Sequence, residues 1–397
     1  MKTLCKLTAL LLALCLLLSG CAAQTPQQAE SPSPAEAEGA APAGSAAEAP
    51  AQREKTGSME LQYADQFSVD YYSDGTALIT IATVEDKFLV LPEGVAVPEG
   101  LDADVKLIRQ PLDCIYQASS SAVDLFIQLG ALDKLRMTST TASNWELPEV
   151  LEALDNGSMI YAGKYSAPDF ELLLSTGCDF VMENTMIYHS PDIKEKLESL
   201  GFPVMVERSS YETHPLGRVE WIKLFGLLIG KEQEAEDFFN GQLALLENME
   251  LGDTGKTVAF FHINSVGAAV VRKPGDYVSK MIEMAGGEYV FSHIDGQDEN
   301  ALSTMNMQME SFYAGAKDAD ILIYNSTIAG ELENMDQLLQ QSSLLADFKA
   351  VQNGNVWCTE HNLFQKSSAS AGIIADFNAI FSGKAEGEEL HFLHKLN

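Results

Sequence analysis

Basic residues are scarce: 25 Lys and Arg stand against 57 Asp and Glu, a formal net charge of −32. A chain this acidic offers no electrostatic footprint for nucleic acid, nor for docking its surface on anionic lipid. Cysteine is also sparse. Of six in the chain, three (Cys5, Cys15, Cys21) lie at the N-terminus. That leaves Cys114, Cys178 and Cys358, an odd number with no CxxC spacing. Buried free thiols are the expectation, with one bridge between two of the three as the alternative. The seven histidines contain no HExxH, and no GxSxG occurs; His391 and His394 read as decoration of a terminal helix or tail. Gly157 to Tyr165 has glycines and a lysine in P-loop style, but Tyr165 follows Lys164 where Ser or Thr must hold magnesium, so it is discarded.

The one extended apolar run is at the start. Lys2 and Lys6 form a positive n-region, and Ala9 to Leu18 an apolar core too short to remain as a spanning anchor. Leu18-Ser19-Gly20-Cys21 matches a lipobox, so residues 1–20 are expected to be a signal peptide and Cys21 the lipid-attachment residue. The protein is then extracytoplasmic and lipid-anchored to the cell membrane. Residues 21–58 are mostly Ala, Pro, Glu, Ser, Gln and Gly and lack aromatics. With little to bury, this lipid-anchored linker is expected to be disordered, with a reach of roughly 30–35 Å.

The body that follows is long enough for two lobes of roughly 100–200 residues. From 59 to 104, three short strands around Phe67–Tyr72, Ala77–Ile81 and Phe88–Leu91 predict an antiparallel meander, an N-terminal β appendage. From 105 the pattern becomes strand, loop, helix. Val105–Ile108 reads as a buried strand, Ser119–Ser121 as helix caps and Ala122–Leu129 as an apolar-faced helix. Asp169–Ser175 and Lys194–Leu200 read as helices feeding strands at Asp179–Met182 and Pro203–Val206. This alternation predicts a parallel sheet.

The phrase Pro168-Asp-Phe-Glu-Leu-Leu-Leu-Ser-Thr-Gly-Cys-Asp-Phe-Val-Met-Glu-Asn184 is echoed by residues 308–327. In both, a helix with an early glutamate leads to an aspartate, an apolar strand and an asparagine. Between the copies, Lys231–Glu250 places Ala235, Phe238, Phe239, Leu245, Leu246 and Met249 on one helical face. The expected fold is α/β: two Rossmann-like lobes, 105–212 and 252–397, joined by a long rigid helix within an inter-lobe segment over 213–251. A twenty-residue helix spans about 30 Å.

With lipobox, polar leash, two similar lobes and a linking helix, the chain resembles the helical-backbone substrate-binding lipoproteins of ABC importers, which bind iron-siderophores, haem and cobalamin. Pro168 to Val181 stands where that family has its "P-D-L-E-x-I-L-x-x-x-P-D-L-V" phrase; Ala285-Gly-Gly-Glu-Tyr-Val-Phe291 and Asn355-Val-Trp357 also fit. The resemblance covers about residues 105 to 395. The β appendage and the phrases Gly163–Pro168 and Ser209–Arg218 depart from it. The resemblance implies a monomeric non-enzyme without a cofactor of its own. Its ligand would be a small-molecule metal chelate, foremost a ferric siderophore, or else haem or cobalamin. Its partners would be an ABC permease with its ATPase, and the membrane through the lipid. Matching the motif residue by residue implies that Glu171 and Glu310 dock on permease arginines, as two carboxylates held a fixed distance apart.

Ligands of open α/β sheets bind on loops at the strand ends. Candidates on such loops are Lys164, Tyr165, Tyr188, Arg208, Tyr211, His214, Arg218, His262, Arg272 and His361, with His189, Asn264, Asn325, Phe364 and Gln365 beside them. Arg suits carboxylates, Tyr stacks, and His ligates metals. The rival from another class is a membrane-anchored extracytoplasmic enzyme acting on a cell-envelope substrate, which turnover would reveal.

Overall fold

The structure, a computed structural model, describes residues 53–294 and 303–397. The signal segment, Cys21 and most of the expected linker lie outside the described residues. Both lobes fall within one compact unit, Gln52–Asn397.

A first sheet is built from β1 (Lys55–Ser58), β2 (Phe67–Tyr72), β3 (Ala77–Ile81), β4 (Lys87–Leu91) and β5 (Lys106–Arg109), paired in that order. The expected meander β2–β3–β4 is antiparallel, and β5 adds to it in parallel. Alternation sets its inner face: Phe67 and Val69 are buried, as are Ala77, Ile79 and Ile81, because side chains two apart share a face. The sheet reaches beyond the span expected for it at both ends. β1 uses the last residues of the expected linker, and β5 is the strand that the sequence pattern assigns to the start of the lobe. Phe67, Ile79, Phe88 and Val90 pack in one cluster with Phe126, Trp221 and Phe225, so the sheet shares the lobe's core.

The N-terminal lobe continues through β6 (Ile115–Gln117), α1 (Ser120–Gln128), β7 (Met137–Thr138), α2 (Pro148–Asp155) and β8 (Ile160–Tyr161). A small hairpin follows, β9 (Gly163–Lys164) with β10 (Ala167–Pro168). Then come α3 (Phe170–Ser175), β11 (Phe180–Glu183), α4 (Pro191–Ser199) and β12 (Val204–Val206). The strands form a parallel sheet in the order β12-β11-β6-β7-β8. Asp169 caps α3 by accepting the Leu172 N–H at 3.0 Å, the local chemistry that starts a helix there.

Two helices bridge the lobes. α5 (Pro215–Ile229) is buried except for Ile229, even at Arg218, Glu220 and Lys223. α6 (Glu232–Glu247) is the helix expected over 231–250. The corner between them is Gly230, at φ 70°, a left-handed conformation that glycine adopts without strain. At Gly226 a Cβ would meet the Ala235 Cβ at 2.7 Å and the Lys231 carbonyl at 2.8 Å, so this glycine sets how closely the helices approach. α6 buries less than its periodicity predicts. Ala235 and Phe239 are buried, but Leu245 is 52% exposed, because α5 takes the interior position.

The C-terminal lobe comprises β13 (Lys256–Ile263), β14 (Ala269–Arg272), α7 (Tyr277–Met284), β15 (Gly287–Tyr289), β16 (Thr304–Met307), α8 (Met309–Ala316) and β17 (Ile321–Tyr324). After these come α9 (Ser326–Ala329), α10 (Met335–Gln341), α11 (Lys349–Gln352), β18 (Val356–Thr359), α12 (Ser370–Phe381) and β19 (Leu393–Lys395). The sheet runs β16-β14-β13-β17-β18-β19, with β15 beside β13. β13, β17 and β18 are parallel. The sequence echo is structural: α3–β11 and α8–β17 are the same helix–strand unit. Asn184 and Asn325 each cap the turn after the strand, accepting from Met186 and Thr327.

Candidate functional site

The carboxyl ends of β6, β11 and β12 open toward the other lobe. A cavity of about 160 Å³ lies there, lined by residues 118–121, 184–186, Glu207 and Ser210 from one lobe and by Phe364 from the other. Its polar wall is the start of α1. Ser119 stands at the cap position, but its hydroxyl makes no capping bond and donates instead to Glu207 Oε2 at 2.6 Å. The Asn184 amide donates to the Ala118 carbonyl at 2.9 Å. Among the described residues the lining offers hydroxyls, an amide and one buried carboxylate, groups that hydrogen-bond a solute.

The seam beside the cavity is closed by the segment before α12. Ser367 Oγ donates to the Ser121 carbonyl at 2.8 Å, and the Ser368 N–H to Asp124 Oδ2 at 2.8 Å. Gln365 accepts the Glu146 N–H at 3.0 Å and donates to the Asn144 carbonyl at 2.9 Å. His361 Nδ1 lies 3.0 Å from Glu146 Oε1.

The sequence-derived candidates fall into separate groups. Arg208 is buried; its Nε and Nη2 reach Gln66 Oε1 at 3.2 and 3.1 Å, its Nη1 reaches the Tyr188 hydroxyl at 3.4 Å, and it stacks 4.5 Å over the Tyr211 ring. A second basic group joins the lobes. Arg218 of α5 lies 4.0 Å over the Tyr277 ring and reaches Ser367 Oγ at 3.4 Å, one hydrogen bond from the cavity lining at Ser121. Arg272 lies 3.5 Å from Asp276 and 5.8 Å over the same tyrosine ring. The Nε atoms of both arginines have no hydrogen-bond partner among the described residues. Burial raises the Asp276 carboxyl while Arg272 opposes it. Burial, and then the charge of Arg272, lowers the pKa of His262.

Other candidates lie apart from the cavity lining. His214 is engaged at the start of α5, where Nδ1 accepts the Leu216 N–H at 3.2 Å and the ring stacks on Tyr63 at 4.3 Å. Lys164 is exposed on the β9–β10 hairpin, and Tyr165 packs on the apolar cluster around Leu173 and Val181. Glu171 and Glu310 are both exposed in the first turns of α3 and α8. Cys114, Cys178 and Cys358 are free. Ser119–Ser121, expected as helix caps, line the cavity together with Asn184 and with Glu207, which no sequence motif marks. Their position directly after apolar strand runs was the available signal. His394 sits in β19, against the expected terminal helix or tail.

Two α/β lobes meeting at a polar-lined cavity have the architecture of a bilobed binding protein. The family model described as "Periplasmic binding protein" matches residues 115–362, and the chain belongs to that family. Its general role is therefore substrate binding in ABC transport on the extracytoplasmic side, in a family of carriers rather than enzymes. An uncharacterized lipoprotein of Methanocaldococcus jannaschii is 24% identical over 374 residues, covering 87% of each chain. The fold is similar to that of a periplasmic heme binding protein from Pseudomonas aeruginosa (TM-score 0.55, 17% identity, 72% of this chain and 98% of that one). It is also similar to the periplasmic heme binding protein HutB of Vibrio cholerae (TM-score 0.52, 21% identity, 66% and 96%).

Proposed function

We propose that this chain is the membrane-tethered binding subunit of an ABC importer, anchored through an acylated Cys21. It captures a metal chelate between its lobes, a ferric siderophore foremost or else haem or cobalamin. It then presents that cargo to a permease and its ATPase through Glu171 and Glu310. The observation that carries this reading is the seam cavity, whose walls come from both lobes. Support for an anionic chelate comes from Arg218, which reaches Ser367 beside the cavity, and from Arg208, which directly follows the lining residue Glu207, in a chain of net charge −32. Guanidinium groups make bidentate contacts to carboxylates and stack on flat ligands. The lipobox and the resemblance to uncharacterized lipoproteins support the anchor.

The test is tryptophan fluorescence of the detergent-extracted full-length protein, titrated with ferric siderophores, haem and cobalamin. Trp145 is a suitable reporter, because its neighbours Asn144 and Glu146 bond across the seam to Gln365. Saturable stoichiometric quenching by one class identifies the cargo, and indifference to all three removes the chelate assignment. Replacing Glu171 and Glu310 together by Ala is expected to leave ligand affinity unchanged and abolish uptake in cells. Lost affinity would move both residues out of the docking role.

A further inference from the structure

A second constellation lies on the C-terminal lobe, away from the cavity lining. Glu331, between α9 and α10, Glu360, directly after β18, and His394 of β19 bring one ligand atom each within 4.8 Å of one another. His394 Nε2 lies 2.7 Å from the Leu332 carbonyl. A carbonyl only accepts, so Nε2 carries the proton, and in the neutral ring Nδ1 is left with a lone pair. That lone pair faces two carboxylates, Glu360 Oε1 at 2.8 Å and Glu331 Oε1 at 3.9 Å. Three electron-pair donors thus converge on a point that needs a cation, either a proton on Nδ1 or a metal ion.

We propose that Glu331, Glu360 and His394 form a binding site for a divalent transition-metal ion, separate from the cargo cleft and independent of what the cleft carries. The spacing fits. Two donors on one zinc ion at tetrahedral angles stand about 3.4 Å apart, and the observed separations from Nδ1 fall on either side of that value, within reach of small rotamer shifts. An imidazole with two carboxylates suits zinc and its neighbours better than calcium or magnesium, which take oxygen donors. The Leu332 carbonyl supplies the outer contact that commonly orients a ligating histidine. The site also touches the seam. Glu331 Oε2 accepts the His361 backbone N–H at 3.3 Å, and the His361 ring, like Gln365, meets Glu146 of the other lobe. A bound ion would tie β19 and the loops at 331 and 360 to that crossing point.

The test is calorimetric titration of metal-stripped, detergent-extracted full-length protein with Zn²⁺ in excess Mg²⁺, which occupies weak carboxylate sites. One zinc per chain is expected, and Glu360→Gln and His394→Ala should each weaken it about 10- to 100-fold. If His394→Ala disturbs the fold, Glu331→Gln, an exposed change, carries the test with the same direction of effect. Imidazole ¹⁵N NMR should show the Nδ1 resonance of His394 moving to a metal-bound value while Nε2 stays protonated. Zinc affinity unchanged in Glu331→Gln and Glu360→Gln, or a His394 Nδ1 still protonated at saturating zinc, overturns the site and leaves an imidazolium ion pair.

Discussion

Glu183 ends β11 fully buried, and neither of its carboxylate oxygens has a hydrogen-bond partner among the described residues. Burial pushes its pKa up to about 8, from an ordinary value of 4.5, since a charged carboxylate is poorly solvated there. The folded state therefore holds the proton that the unfolded chain releases. The stability gained from this linkage is fully present below about 4.5 and is lost as pH rises toward about 8. Glu183→Gln mimics the protonated acid at every pH. It should match wild type in urea unfolding at pH 4.5 and exceed it by about 4 kcal/mol at pH 8. Equal pH profiles for the two proteins would mean that the carboxyl is not held neutral. An acid at the end of an apolar strand resembles any loop-edge carboxylate in sequence, so its burial was not legible there.

Two carboxylates at α5 organise the loop between β1 and β2. Glu220, fully buried, accepts the N–H groups of Gln62, Tyr63 and Ala64 at 2.8 to 3.0 Å and pairs with Lys223 at 3.2 Å. Glu212 accepts from Asp65 and Gln66 and from the Trp221 indole. The helix thus supplies acceptors to a loop that has no ladder of its own, and pins the first sheet to the bridge. Glu220→Ala strands Lys223 and three loop amides and should cost about 3–5 kcal/mol, with faster amide hydrogen exchange over residues 60–66. A loss below about 1 kcal/mol, in the range of an exposed ion pair, would show that water replaces the carboxylate. Because α5 is buried on every side, its sequence carries no amphipathic period. Amphipathic periodicity marks a helix with one wet face, and this one has none to mark. The amphipathic α6 was legible for the same reason, although part of its apolar stripe stays in solvent.

At the scale of the molecule, the polar contacts across the seam cluster before α12, beside the packing of α5 on α7 and α12. Gln365 is buried and carries two of them, so Gln365→Ala should loosen the seam without unfolding either core. Expected are a larger radius of gyration by small-angle scattering, faster exchange at residues 142–147 and about tenfold weaker cargo binding, the factor that one or two buried hydrogen bonds supply. Unchanged scattering and affinity would show that the α5–α6 bridge alone sets the geometry. That bridge, with α5 buried from Pro215 to Leu228, favours modest closure over a wide hinge motion.

Features that depend on nearby residues were readable from the chain itself: the α3–β11 and α8–β17 units, the meander and the amphipathic α6. Their causes are hydrophobic period, capping chemistry and turns, all acting within a few residues. Folding in three dimensions was needed for everything joined over long separations. Arg208 meets Gln66 across 142 residues, Arg218 meets Ser367 across 149, and His394 meets Glu360 across 34. Such pairings follow from strand order and lobe packing, which no local pattern encodes, so the chain's residues named the kind of site, and only the packing selected its members.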